Sequence, residues 1–321
     1  MSIWVCHRRP NLPAGCSDRL FTVTKAALIF NPRAGSWRTA QRVEAIRSAL
    51  TESGYETQPL PTEAPGHATE LAREAAVAGA EFVFTHGGDG TLREAAAGLL
   101  GSEVAVAPIP GGTVNVVANA LGLPQDPIGA VHALADAKPV EMDVGLCGEE
   151  VFLMQTSAGL DARVMGRLSP SLKRRFGRAA VAFSGLVQWS TYDYPQIDLV
   201  ADGRPSRATL VAICNLPHYA GAWQMAPGAS ASDRALDLVV FRGTGRRQTL
   251  AFARDLVLGR HIRRRDVELI RVQEIELRGP EDLSVQLDGD TLPIRLPVTV
   301  HLADNRIRIL LPKQKPAGQR A

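Results

Sequence analysis

The sequence predicts an α/β protein in two parts, a parallel α/β domain over residues 25–138 and a mainly antiparallel β domain with helical inserts over 139–311. Three observations predict it. Short apolar runs alternate with amphipathic segments of helical spacing as far as Pro139. Beyond Pro139 the rhythm changes to many short strands separated by turn signals. Two glycine turns, each between an apparent strand and an apparent helix, stand about 23 residues apart in the first part. Together these describe a Rossmann-like first half with helices on both faces of its sheet.

The elements follow in order. Ala26–Phe30 reads as a strand that runs into Asn31-Pro32-Arg33-Ala34-Gly35. Thr39–Ser53 is a helix with Val43, Ile46, Ala49 and Leu50 on one face. Tyr55–Leu60 is a strand, and His67–Ala78 a helix with Leu71, Ala75 and Ala78 inward. Glu81–Thr85 is a strand, followed by a glycine turn and a helix over Thr91–Leu100. Val104–Ile109 is the next strand, with helices over Thr113–Leu121 and Ile128–Ala137. In a parallel sheet ligands bind beyond the carboxyl ends of the strands, so the loops Asn31–Gly35, His86–Thr91 and Pro110–Thr113 are expected at one edge. In the second part the strands are Val140–Leu146, Val151–Ser157, Gln196–Ala201, Ala208–Asn215, Ala235–Phe241, Val267–Leu277, Leu283–Leu287, Val298–Leu302 and Arg306–Leu311. Asp202-Gly203 and Asp304-Asn305 read as hairpin turns. Helices are expected at Gly177–Ser190 and Arg247–Leu258. Residues 1–24 read as a loose extension and 312–321 as a disordered tail.

Composition narrows the function. A chain of 321 residues suits two domains, and 45% apolar content allows a large core. Only 5% is aromatic, which suggests no stacking platform for nucleic acid. The net charge of +3 is mild but conceals basic clusters at Lys173-Arg174-Arg175 with Arg178, at Arg246-Arg247, and at Arg260 with Arg263-Arg264-Arg265. These are either solvated surface or an attraction for anionic lipid headgroups, worth about 1 kcal/mol per basic residue. Cys6, Cys16, Cys147 and Cys214 are scattered, which argues against a disulfide framework or zinc site and fits a reducing cytoplasm. No apolar run reaches the roughly 18 residues of a spanning helix, and Arg8, Arg9 and Pro10 are followed by no apolar secretory segment.

The chemistry gathers at the glycine turns. Gly87, Gly88 and Gly90 are expected to form a turn at positive φ, which costs glycine nothing. With the helix that follows, the turn offers backbone N–H groups and a positive dipole end, a ready phosphate site. Asp89 sits in its centre, where a carboxylate reaches a metal ion or a ribose hydroxyl. Pro110-Gly111-Gly112-Thr113-Val114-Asn115 is a second turn of the same kind. Two such turns could grip a triphosphate from two sides, with Gly112 among the binding residues and Thr91, Thr113 and Asn115 as side-chain donors. His86, beside the first turn, reads as a cap on the strand end rather than a catalyst.

Gly87–Thr91 with Glu94, Gly98 and Leu99, Pro110–Pro124, and Asn31-Pro32 with Gly35 together resemble the diacylglycerol kinase catalytic-domain family, in particular its soluble bacterial lipid kinases. The similarity spans about residues 25–311. It implies an enzyme of NAD kinase/diacylglycerol kinase-like fold that uses ATP and Mg2+ to phosphorylate a hydroxyl of a membrane lipid. Candidate acceptors are diacylglycerol-like lipids, phosphatidylglycerol, and ceramide or another sphingoid lipid. It implies ATP contacts at Asn31, Thr62, Gly87–Thr91 and Thr113, with the lipid in the cleft between domains. Met225-Ala226-Pro227 through Leu238 resembles a family segment in which Asp233 and the carbonyls of Leu236 and Leu238 would hold a structural Mg2+. The family has Asp-Gly there, where this chain has Asp233-Arg234. Gln286–Asp290 resembles the family's Asp-Gly-Glu signature, with Asp288 the implied general base and Asp290 in the place of the glutamate. Val116 stands where many members carry an aspartate that joins an acidic Mg2+ network, leaving Asp89 and Asp143 to supply carboxylates. The alternatives are an NAD kinase-like enzyme and a nucleotide- or lipid-binding protein of weakened turnover, the latter favoured by Val116, Arg234 and Asp290. The resemblance implies a cytoplasmic protein that meets its lipid at the inner face of the membrane, with no nucleic-acid partner. Open β-sheet edges leave room for a homodimer.

Overall fold

The computed structural model describes residues 24–34, 39–112, 115–167, 178–219, 223–280, 283–294 and 296–312. The terminal segments and Gly35, Thr113, Cys6, Cys16 and Lys173-Arg174-Arg175 lie outside the described residues. The chain begins β1 (Thr24–Phe30), α1 (Thr39–Glu52), β2 (Tyr55–Pro61), α2 (His67–Val77), β3 (Phe82–Gly87), α3 (Asp89–Gly98), β4 (Ala105–Pro110), α4 (Val116–Ala120), α5 (Pro127–Leu134) and β5 (Lys138–Met142). It continues β6 (Gly145–Cys147), β7 (Glu150–Phe152), β8 (Gln155–Gly159), α6 (Leu160–Gly166), α7 (Arg178–Thr191), β9 (Ile197–Ala201), β10 (Arg204–Ala208) and β11 (Leu210–Cys214). Then come β12 (His218–Tyr219), β13 (Trp223–Gln224), β14 (Leu236–Phe241), α8 (Arg246–Val257) and a 3-10 turn at His261–Arg263. The described chain closes with β15 (Val267–Val272), β16 (Glu274–Arg278), β17 (Val285–Leu287), β18 (Asp290–Thr291), β19 (Val298–Leu302) and β20 (Ile307–Leu311).

The first sheet has the order β2-β1-β3-β4-β20-β5. Its first five strands are parallel and β5 runs antiparallel to β20. Successive side chains of a strand face opposite ways, and β1 uses both faces. Ala27 and Ile29 pack with Leu71, Ala75 and Leu92 of α2 and α3, while Ala26 and Leu28 pack with Val43, Ile46 and Leu134 of α1 and α5. This is the helix-covered parallel sheet that the sequence predicts.

The second part is a sandwich of two antiparallel sheets, β10-β9-β16-β19-β6-β7 and β15-β14-β11-β8-β17-β18. Leu236, Leu238 and Val240 of β14 face Leu199, Ile275 and Val300 of the other sheet. Val239 and Phe241, on the opposite face, are covered by Phe252 and Leu256 of α8. A strand buried on both faces therefore reads as a nearly continuous apolar run, interrupted here only by Asp237.

Several expectations are corrected. β20 returns to the first sheet between β4 and β5, so the division at 138 does not follow the sheets. Val267–Leu277 is two strands in different sheets that meet at Gln273, and Val140–Leu146 likewise divides into β5 and β6. Asp304-Asn305 links two sheets rather than closing a hairpin. Asp202-Gly203 does close one, with φ of 45° and 79°. Helix α3 begins at Asp89, two residues before Thr91.

Candidate functional site

A cavity of about 810 Å3 opens between the two parts. Its first wall is made by the carboxyl ends of the parallel strands, with Asn31, Thr62, Gly88, Asp89, Gly90, Thr91, Asn115 and Val116. Its second wall comes from the sandwich, with Gln155, Asp161, Tyr219, Gln286, Asp288 and Asp290. Residues nearly 260 positions apart in sequence thus face one space.

The glycine turns are packed against each other rather than strained. Gly87, Gly88, Gly90, Gly111 and Gly112 all lie outside the positive-φ region, which corrects the expectation for the first turn. Their requirement is space. A Cβ on Gly87 would lie 2.5 Å from Thr91 Oγ1, one on Gly111 would lie 2.7 Å from His86 Cε1, and one on Gly112 would lie 2.7 Å from Gly88 Cα. Gly111 N–H donates to the Gly87 carbonyl at 2.9 Å, joining the turns. Gly87 and Gly112 therefore support the cavity wall without lining it, whereas Gly88 and Gly90 line it. Gly88 is the N-cap of α3, with extended backbone and no side-chain cap, so the first N–H groups of that helix suit an anion.

Asp89 is already engaged. Its two carboxylate oxygens accept the N–H groups of Val116 and Val117, each at 2.9 Å, and so cap α4. A carboxylate bound to helix N–H groups is a tie between the turns before it is a metal ligand. Asn115, at φ 48°, accepts from Gly112 N–H at 2.8 Å and donates to the Gly112 carbonyl at 3.0 Å. It shapes the second turn. Asn31 Oδ1 accepts Arg33 N–H at 2.8 Å, and Thr62 N–H donates to the Phe30 carbonyl at 2.9 Å, which holds both at the cavity rim. His86 is buried below the turn and donates from Nδ1 to the Ile109 carbonyl at 3.3 Å; burial lowers its pKa, so it stays neutral.

Asp288 and Gly289, at φ 50° and 84°, form the two-residue turn between β17 and β18. The Asp288 carboxylate accepts N–H groups from Leu153 at 2.7 Å, Met154 at 2.8 Å and Gln155 at 3.0 Å. Burial pushes its pKa up to about 6, against the pull of those three donors and of the nearby Arg93 charge. The result is a fixed proton acceptor that is ionised at neutral pH. Asp290 crosses the cavity: a Cβ on Gly90 would lie 2.9 Å from Asp290 Oδ2. The carboxylate of the second part thus reaches the glycine turn of the first.

The other proposed metal ligands lie elsewhere. Asp143 is fully buried between β5 and β6 and accepts from Arg306 Nε at 2.7 Å, Arg234 N–H at 2.8 Å and Arg234 Nη1 at 3.2 Å. These contacts hold its carboxyl below the usual range despite burial. Asp233 is exposed and paired with the Arg271 guanidinium. Leu236 and Leu238 sit within the β14 ladders. Arg234 adopts φ 57°, the conformation that the family's glycine would take freely, and turns its guanidinium to Asp143. Three arginines thus supply the positive charge at these acids, and the donor set does not fit a resident Mg2+. Among the described residues there is no cluster of three or more His, Cys, Asp or Glu arranged for a metal.

Two residues escaped the sequence reading. Arg93, two residues after Thr91 on α3, is 5% exposed, lines the cavity and pairs with Glu150 at 3.3 Å. A charged side chain on an otherwise small-residue helix face was its only signal. Asp161 is buried and accepts from Ser157 Oγ at 2.5 Å, from Tyr219 and from Gln286 Nε2 at 3.3 Å. Burial raises its pKa, since its donors are all neutral. It belongs to α6, an element with no distinct sequence signal.

Comparison with known proteins agrees with this architecture. The sequence profile of the Diacylglycerol kinase catalytic domain matches residues 25–147, and that of the YegS C-terminal NAD kinase beta sandwich-like domain matches 154–311. A "Probable lipid kinase YegS-like" protein of Pseudomonas putida is 31% identical over 256 residues, covering 78% of this chain and 84% of its own. A "Diacylglycerol kinase" of Bacillus subtilis is 24% identical over 296 residues, covering 91% and 97%. A crystal structure of a putative diacylglycerol kinase from Bacillus anthracis superposes with a TM-score of 0.76 at 22% identity, covering 96% of this chain and 99% of that one, which shows a shared fold. The chain therefore belongs to the diacylglycerol kinase catalytic-domain family and is an enzyme of the lipid-kinase class.

Proposed function

We propose that the enzyme transfers the γ-phosphate of ATP, bound as its Mg2+ complex, to a hydroxyl of a membrane lipid. One observation carries the reading: Asp288 and Asp290 face the α3 glycine turn across a single cavity, so a proton acceptor and a phosphate cradle meet. ATP would lie along the first wall with its phosphates toward Gly88, Gly90 and the start of α3. Arg93, buried at the cavity floor, would attract the phosphate charge. Phosphoryl transfer needs positioning and charge neutralisation above all. The Asp89 and Asp290 carboxylates would hold the Mg2+ of the nucleotide complex, which would supply charge neutralisation at the phosphates. In the reaction the lipid hydroxyl oxygen bonds to the γ-phosphorus, the bond from that phosphorus to the bridging oxygen breaks, and ADP leaves. The hydroxyl proton passes to Asp288.

The lipid would enter along the second wall, where Met154, Met165, Trp223 and Leu292 give an apolar lining beside Asp161. The relatives' names as lipid kinases favour this acceptor over NAD. The enzyme would meet its lipid at the membrane surface, at the cytoplasmic face; no helix among the described residues is long and apolar enough to cross a membrane. The test is incubation with γ-labelled ATP and Mg2+ against either a total lipid extract or NAD. Label in the organic phase is expected, and label confined to aqueous nucleotide would overturn the proposal.

A further inference from the structure

The large apolar side chains that stand exposed are not evenly spread. Leu250, Val257, Leu258, Ile262 and Leu269 fall within residues 250–269, while Val77, Val140 and Val187 are scattered. Single exposed apolar residues need no explanation, but a cluster does. Helix α8 shows how it arises. Thr249, Phe252, Asp255 and Leu256 face inward, Phe252 and Leu256 onto β14. At 3.6 residues per turn the opposite face carries Arg246, Leu250, Ala253, Arg254 and Val257 in one outward stripe. Leu258 and Ile262 extend it past the end of the helix.

The charge around this stripe is one-sided. Residues 246–268 hold seven arginines and three acids. All three acids are already paired, Asp255 with Arg254 and Arg264, Asp266 with Arg264, and Glu268 with Arg242. Arg246, Arg247, Arg260, Arg263 and Arg265 are exposed, and none has a carboxylate partner among the described residues. Apolar side chains ringed by unpaired guanidinium groups complement an anionic bilayer. Leucine and valine enter the headgroup boundary, and the arginine stems lie along it with their heads at the phosphates.

The stripe also stands beside the right wall of the cavity. His261 Nε2 donates to the Met225 carbonyl at 2.7 Å, two residues after the cavity residue Trp223. Trp189 Nε1 of α7 donates to the Arg246 carbonyl at 3.0 Å, and α7 packs on α6, which carries the cavity residues Asp161 and Met165.

We propose that the outward face of α8, with the arginines of the following turn, docks the enzyme on an anionic membrane surface beside the second wall of the cavity. The role in substrate capture rests on the lipid-kinase reading, whereas the docking itself does not. The test is flotation of the nucleotide-free protein with vesicles of phosphatidylcholine alone or with roughly a third phosphatidylglycerol. Wild type is expected on the anionic vesicles only, released by salt at about 0.5 M. Arg260→Gln/Arg263→Gln/Arg265→Gln is expected to lower partitioning at least about tenfold. Leu250→Gln/Val257→Gln, a surface change checked by thermal melting, should do the same. Equal binding to neutral vesicles, no binding, or wild-type partitioning by both variants would overturn the proposal. So would a dimer in sedimentation that Leu250→Gln/Val257→Gln dissolves, because a second copy would then cover the face. The kinase reading fails separately, through vesicle-bound wild type that phosphorylates no lipid.

Discussion

Replacing Asp288 by asparagine removes the proton acceptor and keeps most of its surroundings. Oδ1 retains the N–H groups of Met154 and Gln155, but the new amide presents a donor to Leu153 N–H. One unsatisfied buried donor costs about 1–3 kcal/mol. A second change offsets it. The Asp288 pKa is raised from the ordinary 3.8 to about 6, so the fold prefers the protonated form. That preference contributes stability below pH 3.8 and loses it as pH rises through 6. At neutral pH the ionised carboxylate therefore costs about 3 kcal/mol, which asparagine relieves. The two effects nearly cancel, so Asp288→Asn is expected to melt within a few degrees of wild type at pH 7. Turnover should nonetheless fall about 100-fold to 10,000-fold, the range for loss of a general base, with ATP affinity within about threefold. In wild type, kcat/KM should fall about tenfold from its plateau by pH 5, one unit below the midpoint. The assay is lipid phosphorylation against pH with thermal melts of both proteins. An active Asp288→Asn enzyme that keeps the same acid limb would remove Asp288 as the base.

Arg93→Ala is expected to raise the midpoint of that acid limb, because a neighbouring positive charge favours the Asp288 carboxylate, and to raise KM for ATP; a pH–rate profile reads both. Gly88→Val should fold, since its Cβ would meet only Gly112 Cα at 3.9 Å, yet bind ATP at least about tenfold more weakly by calorimetry. Gly90→Ala places a Cβ 2.9 Å from Asp290 Oδ2 and should lower turnover by displacing the Asp290 carboxylate from the glycine turn, read as lipid phosphorylation with thermal melting unchanged. Without nucleotide, the melting temperature should be the same in Mg2+ and in a chelator, since Arg271 already occupies Asp233. A Mg2+-dependent rise that Asp233→Asn abolishes would contradict this.

The first half was legible because its physics is local. Alternating strands and helices carry period in the sequence, and Gly87–Thr91 and Pro110–Asn115 fall at strand ends where a parallel sheet puts its site. The reason for the glycines was not legible. Positive φ is a local property, whereas the contact of Gly112 with Gly88 depends on two strands lying side by side. The second half was harder for the same reason. Val267–Leu277 reads as one strand in sequence, apolar residues interspersed with polar ones throughout, and only the sandwich decides that Gln273 sends its two ends into different sheets. Asp288 was found by its turn dipeptide and its resemblance. Asp161 had no such marker, since its donors, Ser157, Tyr219 and Gln286, come from three separate elements.

Asp143 shows how a misplaced ligand can still be informative. The chain passes between the first sheet and the sandwich twice near it, from β5 to β6 and from β19 to β20. Asp143 lies on the first crossing and Arg306 on the second, bonded at 2.7 Å. Backbone bonds bind the same place: Asp143 N–H donates to the Ala231 carbonyl at 2.7 Å, and Ala303 N–H to the Val144 carbonyl at 2.9 Å. Arg234, from the segment before β14, adds its own N–H and guanidinium. The carboxylate thus ties both crossings and the sandwich at one buried point. The two cavity walls lie on either side of these crossings, with Asp89 and Gly90 on the first sheet's side and Asp288 and Asp290 on the sandwich. An acid hydrogen-bonded by two arginines joins the two crossings here, so Asp143 links the side of the fold that carries the glycine turn to the side that carries the base.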